Sequence, residues 1–269
     1  MKYTRRDVVI GLPALMAFGL AGCKTANATA QNTTEATKKA SGALQITAAQ
    51  TLDGYAFNST TADENTILVN TTDEVTITNS TVAKTGDSDG GDNCNFYGQN
   101  AAVLVEGGST TTLTNLTVTS DAKGANGIFS YGGNGGRNGG DGDGTKVVIK
   151  DTTITTTGDG AGGTMTTGGG ITNAYNLTVT TNGQSSAAIR TDRGGGTVYV
   201  DGGTYTSNGL GSPAIYSTAE IHVANATLVS NLSEGVCIEG LNSIELTDCD
   251  LTANNTKCNG NATFMDTIM

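Results

Sequence analysis

Seven corner residues punctuate this chain: Asn79, Asn115, Asp151, Asn176, Gly202, Asn225 and Asp248. Each is preceded by alternating apolar residues, and most are followed by a Thr-rich strand. Successive corners lie 36, 36, 25, 26, 23 and 23 residues apart. Periods of about 20–50 residues mark solenoids, in which a repeat buries its apolar side only by stacking on the next one. Around the corner the repeats align without gaps. Val75 and Ile77, Val147 and Ile149, Val198 and Val200, Ile221 and Val223, and Ile244 and Leu246 occupy the same two positions. A spacing of two puts both side chains on one face of a strand. The corner must then turn the chain, and Asn, Asp and Gly enter left-handed backbone at least cost.

A second inward column follows the corner through Val82, Val118, Ile154, Val179, Tyr205, Leu228 and Leu251. A third is assigned to Val103, Met165, Ile189, Ile215, Ile238 and Phe264. The pattern predicts an all-β right-handed parallel β-helix with three short strands per coil. With about seven to eight coils stacked at the interstrand spacing, the rod is on the order of 35 Å long. Abundant Thr, 39 Gly, only 2 Pro and no Trp suit short strands and turns rather than a broad globular core. Hairpin turns, which a sandwich would require, are scarce.

Residues 1–22 read as a signal peptide, with Lys2, Arg5 and Arg6 ahead of the apolar stretch Val8 to Gly22. Leu20-Ala21-Gly22-Cys23 resembles a bacterial lipobox, which makes Cys23 the lipidation site. Thr4-Arg5-Arg6-Asp7 resembles a twin-arginine export signal, without the usual following aromatic. Residues 23–45 are assigned to a flexible tether and residues 46–269 to the solenoid. The segment Phe264–Met269 sits within an apolar strand, so the expectation is that the solenoid continues beyond it. The formal net charge of −11 becomes −13 once the leader's three basic residues and one acidic residue are removed. That balance excludes a nucleic-acid partner, which needs a basic footprint.

Three stretches between Asn79 and Asp248 carry a family likeness: Gly98 to Val103, Ser186 to Gly196 and Gly211 to Ser217. They resemble the pectate-lyase-like β-helix superfamily, and more closely its bacterial cell-surface lipoproteins of adhesin-like character. The resemblance implies a surface location. In the superfamily's lyases an Arg abstracts a proton while Ca²⁺ held on carboxylates polarises a uronate.

The candidate catalytic residues on that basis are Arg190, Asp192 and Arg193. Counting by the repeat places Tyr216 and Glu239 on Arg190 in successive coils. Arg190, Arg193, Tyr216 and Glu239 therefore form a candidate ligand ridge for sugar hydroxyls or an acidic glycan. Its structural alternative is a ladder of surface ion pairs joining Arg190 to Glu239 or Arg193 to Glu220. Paired carboxylates for glycoside hydrolysis are not recognisable as a motif, so binding takes precedence over catalysis. Asp87, Asp89 and Asp92, and separately Asp141 and Asp143, lie in Gly-rich loops and are candidate Ca²⁺ ligands, although neither set completes a known calcium motif. His222, the chain's single histidine, lies between inward Ile221 and Val223 and is read as a solvent-facing strand residue. The pairing of Cys94, Cys237, Cys249 and Cys258 stays open. The functional expectation is a lipid-anchored surface protein that binds extracellular glycan or a host surface. A polysaccharide lyase or hydrolase, and a structural spacer, are the alternatives.

Overall fold

The computed structural model describes Lys2–Arg5, Val8–Ile10, residues 40–135 and residues 140–255. Cys23, Cys258 and Phe264 lie outside the described residues. Among the strands from Gly42 onward every mutual pairing is parallel, and each strand bonds to its counterpart in the next repeat. One sheet holds eight strands, from Gly42–Ile46 through Asn65–Asn70 and Val103–Glu106 to Val236–Ile238. A second, curled sheet of 16 strands carries the segments on either side of each corner. The result is an all-β, parallel, solenoid-like fold. The first sheet already includes Gly42–Ile46, at the end of the stretch assigned to the tether.

The corner column is left-handed throughout. Asn79, Asn115, Asp151, Asn176, Asn225 and Asp248 have φ between 48° and 55°, and Gly202 has φ 75°. The amide of Asn115 donates to Asn79 Oδ1 at 2.7 Å, and Asn176 donates to Asp151 Oδ1 at 2.8 Å. Thus the residue that tolerates the turn also ties it to its neighbour. A second Asn column, unrecognised in the sequence, runs through Asn182, Asn208, Asn231 and Asn254. Each side-chain amide donates to the oxygen of the previous one at 2.6–2.9 Å.

The first two inward columns form the interior as anticipated. Val82, Val118, Ile154, Val179, Tyr205, Leu228 and Leu251 are all buried and register on one another. The third column needs correction. Its occupants are Val103, Ile128, Thr164, Ile189, Ile215 and Val236. Thr164 takes the place assigned to Met165, because Thr has the shape of Val and its hydroxyl reaches Ala188 O at 3.5 Å. Met165 instead joins Leu68, Ala101, Leu104 and Phe129 in a second cluster on the outer side of the eight-stranded sheet. Ile238 falls out of the column because the turn from Ser230 to Val236 is two residues shorter than that from Ser207 to Ile215.

The interior also holds a polar line. Ser120, Thr156, Thr181 and Ser207 register on one another, and each hydroxyl donates to a carbonyl five residues later. Lys84 occupies this line one repeat earlier and is buried, with Nζ donating to the carbonyls of Thr61, Thr85 and Gly86. Burial depresses its pKa, against the pull of Glu64, Asp87 and Asp63.

Strands at the end of a sheet present unpaired backbone groups. Here Lys2–Arg5 and Val8–Ile10 pair antiparallel with Cys249–Ala253 and Ser243–Thr247.

The corner geometry yields a direct test. Asn225→Val, which forces a β-branched residue to a φ of 55°, should cost about 1–2 kcal/mol, whereas Asn225→Gly should cost less. Urea and thermal unfolding would compare the two, and equal losses would show that backbone strain is not the corner's constraint.

Candidate functional site

The long early repeat places its Gly- and Asp-rich insertion over the second cluster as a short helix, Asp92–Tyr97. It ends at Gly98, whose φ of 72° lets the backbone lie on Leu104 and Phe129 without a side chain in the way. The Thr167 hydroxyl donates to Phe96 O at 2.7 Å, and Tyr97 meets Tyr131 edge to face. Arg193 closes this contact from far along the chain. Its guanidinium stacks 3.9 Å from the Phe96 ring centroid and bonds Asp92 at 3.3 Å. Arg193 is therefore a clamp on the insertion.

Arg190 is also committed, through a 2.7 Å bond to Asp192, whose other oxygen accepts from the Arg193 backbone N–H. Its guanidinium lies 5.6 Å from the Tyr216 ring centroid. The ion pairs formed are thus Arg190–Asp192 and Arg193–Asp92, in place of the Arg190–Glu239 and Arg193–Glu220 ladder. Glu239 does not stack on Tyr216: Cys237 does, as the shortened final turn shifts the register by two. Glu239 nevertheless reaches the Tyr216 hydroxyl by hydrogen bond from beyond the column, and this, after burial, holds the phenol well above its ordinary pKa. Of the ridge, Arg190, Tyr216 and Glu239 meet, while Arg193 turns away to the insertion.

The acidic loops are likewise internally engaged. Asp87 caps the Lys123 N–H at 2.8 Å, and Asp89 caps that of Gly91 at 2.8 Å. Asp143 accepts from the N–H and hydroxyl of Thr145, while Asp141 is exposed. Among the described residues no group of three or more His, Cys, Asp or Glu side chains is placed to hold a metal. Cys94, Cys237 and Cys249 are free thiols, all buried, and burial raises their pKa values, that of Cys237 to about 11.

The most distinctive surface lies on the outer face of the curled sheet. There Val148, Asn173, Tyr199, His222 and Glu245 form one outward column on five successive strands. Beside it runs Lys150, Tyr175, Asp201 and Ala224. Tyr199 is 47% exposed and Tyr175 40% exposed. His222 stacks on Tyr199 with ring centroids 5.0 Å apart and planes 11° apart. Its Nε2 lies 2.7 Å from Glu220 and its Nδ1 2.9 Å from Glu245. The groove encloses about 610 Å³ and is floored by Asn173, Val200 and Val223 between Lys146, Tyr175, Asp201 and Glu245. A wider depression of about 840 Å³ lies beyond Glu220, around Gly194–Gly196 and Leu241. It lacks exposed aromatic rings, so the aromatic groove is the better candidate.

Reading His222 as a plain solvent-facing residue missed this arrangement. Its alternation with Ile221 and Val223 gives its face correctly, but two of its three partners, Tyr199 and Glu245, come from other repeats. The column Tyr199–His222–Glu245 was available from the corner alignment, which spaces these residues equally from Gly202, Asn225 and Asp248.

Two carboxylates on opposite ring nitrogens are satisfied together only when both nitrogens carry protons. Partial burial pulls the His222 pKa down, but the bonds to Glu220 and Glu245 outweigh it, and the net shift is upward from 6.5. The imidazolium contribution to stability is then complete below the unfolded pKa and lost as pH rises through the higher folded value. The single histidine gives one imidazole NMR titration, which should have its midpoint above 6.5 and move down in Glu245→Gln. A midpoint at or below 6.5 would contradict the clamp.

Comparison with protein-family models, with curated proteins and with solved structures returned no match to this chain, so the site stands on its own geometry.

Proposed function

We propose that the protein is an exported, lipid-anchored surface protein that binds extracellular glycan along the groove of Tyr175, Tyr199 and His222. In this reading the fold is a right-handed parallel β-helix of three strands per coil. Right-handedness follows the strong general preference of parallel crossover connections, and about seven to eight coils fit the spacing of the corners. Export and anchoring rest on the leader and on Cys23. The family likeness to pectate-lyase-like surface lipoproteins agrees with both.

The observation that carries the binding reading is the pair of half-exposed tyrosines, one stacked on a clamped histidine, above a floor of Asn173, Val200 and Val223. Aromatic rings fixed by stacking offer apolar faces to sugar C–H groups at little entropic cost, while flanking carboxylates and amides take the hydroxyls. A lyase or hydrolase is less well supported, since Arg190 and Arg193 are both engaged in ion pairs. A spacer would have no need of the rings.

A glycan array followed by calorimetry on the best ligand tests the proposal. Tyr199→Ala should weaken binding at least tenfold, about 1.4 kcal/mol, while Arg190→Ala should leave affinity within a factor of two to three. Undiminished affinity in Tyr199→Ala, with binding lost in Arg190→Ala, would move the site to the ridge.

A further inference from the structure

The outward column that builds the groove changes height abruptly. Glu245, His222 and Tyr199 are long side chains in mutual contact, whereas the two preceding positions hold only Asn173 and Val148. Because Tyr199 and His222 stack along the direction of the strand ladder, one face of the Tyr199 ring is covered by the imidazole. The other face looks back over Asn173. The space above Asn173 is bounded on its own strand by Ile171 and Tyr175, both of which line the groove, and farther back by Lys146. It is a missing place in a stack of rings.

Its floor carries an unmet hydrogen-bonding capacity. Oδ1 of Asn173 is buried and makes no hydrogen bond, although the residue as a whole is only half-buried. A buried acceptor without a partner is a cost that a donor from a ligand would relieve. Every other member of the stack is fixed: Tyr199 by His222, and His222 by Glu220 and Glu245. In this column Oδ1 of Asn173 is the acceptor left over, and a turn of the amide would present it to an incoming group.

We infer that this place is a sugar subsite, resting on the glycan-binding reading above, and that it takes one unit of an unbranched, uncharged pyranose chain. The unit stacks on the free face of Tyr199 and donates a hydroxyl to Asn173. The chain crosses the column, because an extended, equatorially linked pyranose polymer advances within the plane of its rings, and that plane here lies parallel to the Tyr199 ring. Charge favours a neutral ligand over a polyuronate. Asp201 and Glu245 line the groove with Lys146, Glu220 adjoins it through His222, and the chain as a whole carries −11.

Calorimetry on the full-length exported protein with cellohexaose, xylohexaose, mannohexaose and an oligogalacturonate tests this. At least one neutral hexamer should bind, with the oligogalacturonate at least tenfold weaker. Asn173→Tyr, which fills the place with a ring of the protein's own, should reduce affinity tenfold or more without lowering the thermal midpoint. Asn173→Ala, which keeps the space and removes the amide, should reduce it about threefold to tenfold. Should Asn173→Tyr bind like the wild type while Tyr199→Ala is impaired, the subsite is overturned and the groove stands. Binding of the oligogalacturonate alone overturns the choice of an uncharged ligand in the same way. If neither these probes nor a glycan array yields a ligand for the wild type, the glycan-binding reading fails together with the subsite.

Discussion

Parallel register between equivalent residues is the constraint on which the molecule depends. Each strand satisfies its backbone on the same position of the adjacent repeat, so a side chain's neighbours along the column are its own homologues within the chain. Apolar residues must therefore sit on apolar residues, and corner residues on corner residues. The left-handed Asn, Asp or Gly keeps successive repeats in phase by turning the backbone at the same point each time. Without it, the inward columns on either side would slip by one residue and expose their apolar side chains. Hydrogen-bonded hydroxyls inside and amide ladders outside then satisfy polar groups that the strands leave over.

The same constraint explains why the functional surface has its form. A face built of stacked columns contains no deep cavity, but it repeats a chemical group at regular spacing, and a change along one column makes a step. The Tyr199–His222 pair is such a change, in a column that begins with short side chains. Its rigidity comes from Glu245 across the repeat and from Glu220 on the strand of His222 itself, which hold the two ring nitrogens. The insertion helix serves the opposite face, where Arg193 and Asp92 lock it over an apolar cluster. Arg190, Asp192 and Arg193, the catalytic candidates of the sequence, are all engaged in contacts that hold the structure together.

The corner and the columns nearest it were legible because their spacing from the corner is constant and their residue types are narrow. Legibility faded with distance. At the third turn, lengths differ between repeats, so Glu239 fell two residues from its assumed neighbour and Cys237 took its place. Thr164 stands next to the more apolar Met165, so an apolar pattern alone points to the wrong one of the two. Arg193 and Asp92, 101 residues apart, share no local pattern, so their contact had no trace in the sequence. His222 failed for a subtler reason: each residue of the Tyr199–His222–Glu245 column is ordinary in its own strand, and the chemistry arises from stacking.

The ladder of Asn182, Asn208, Asn231 and Asn254 has a further implication. Every amide in it faces the same way, giving to the repeat before and accepting from the repeat after. Each rung is thus an interchangeable connector with identical fittings at its two ends. Such a chain can gain or lose a whole unit by unequal recombination within its gene and still close up, because the flanking rungs meet as they met the one removed. Length in this molecule is an evolutionary variable that the joints leave free, whereas the direction of the ladder is fixed.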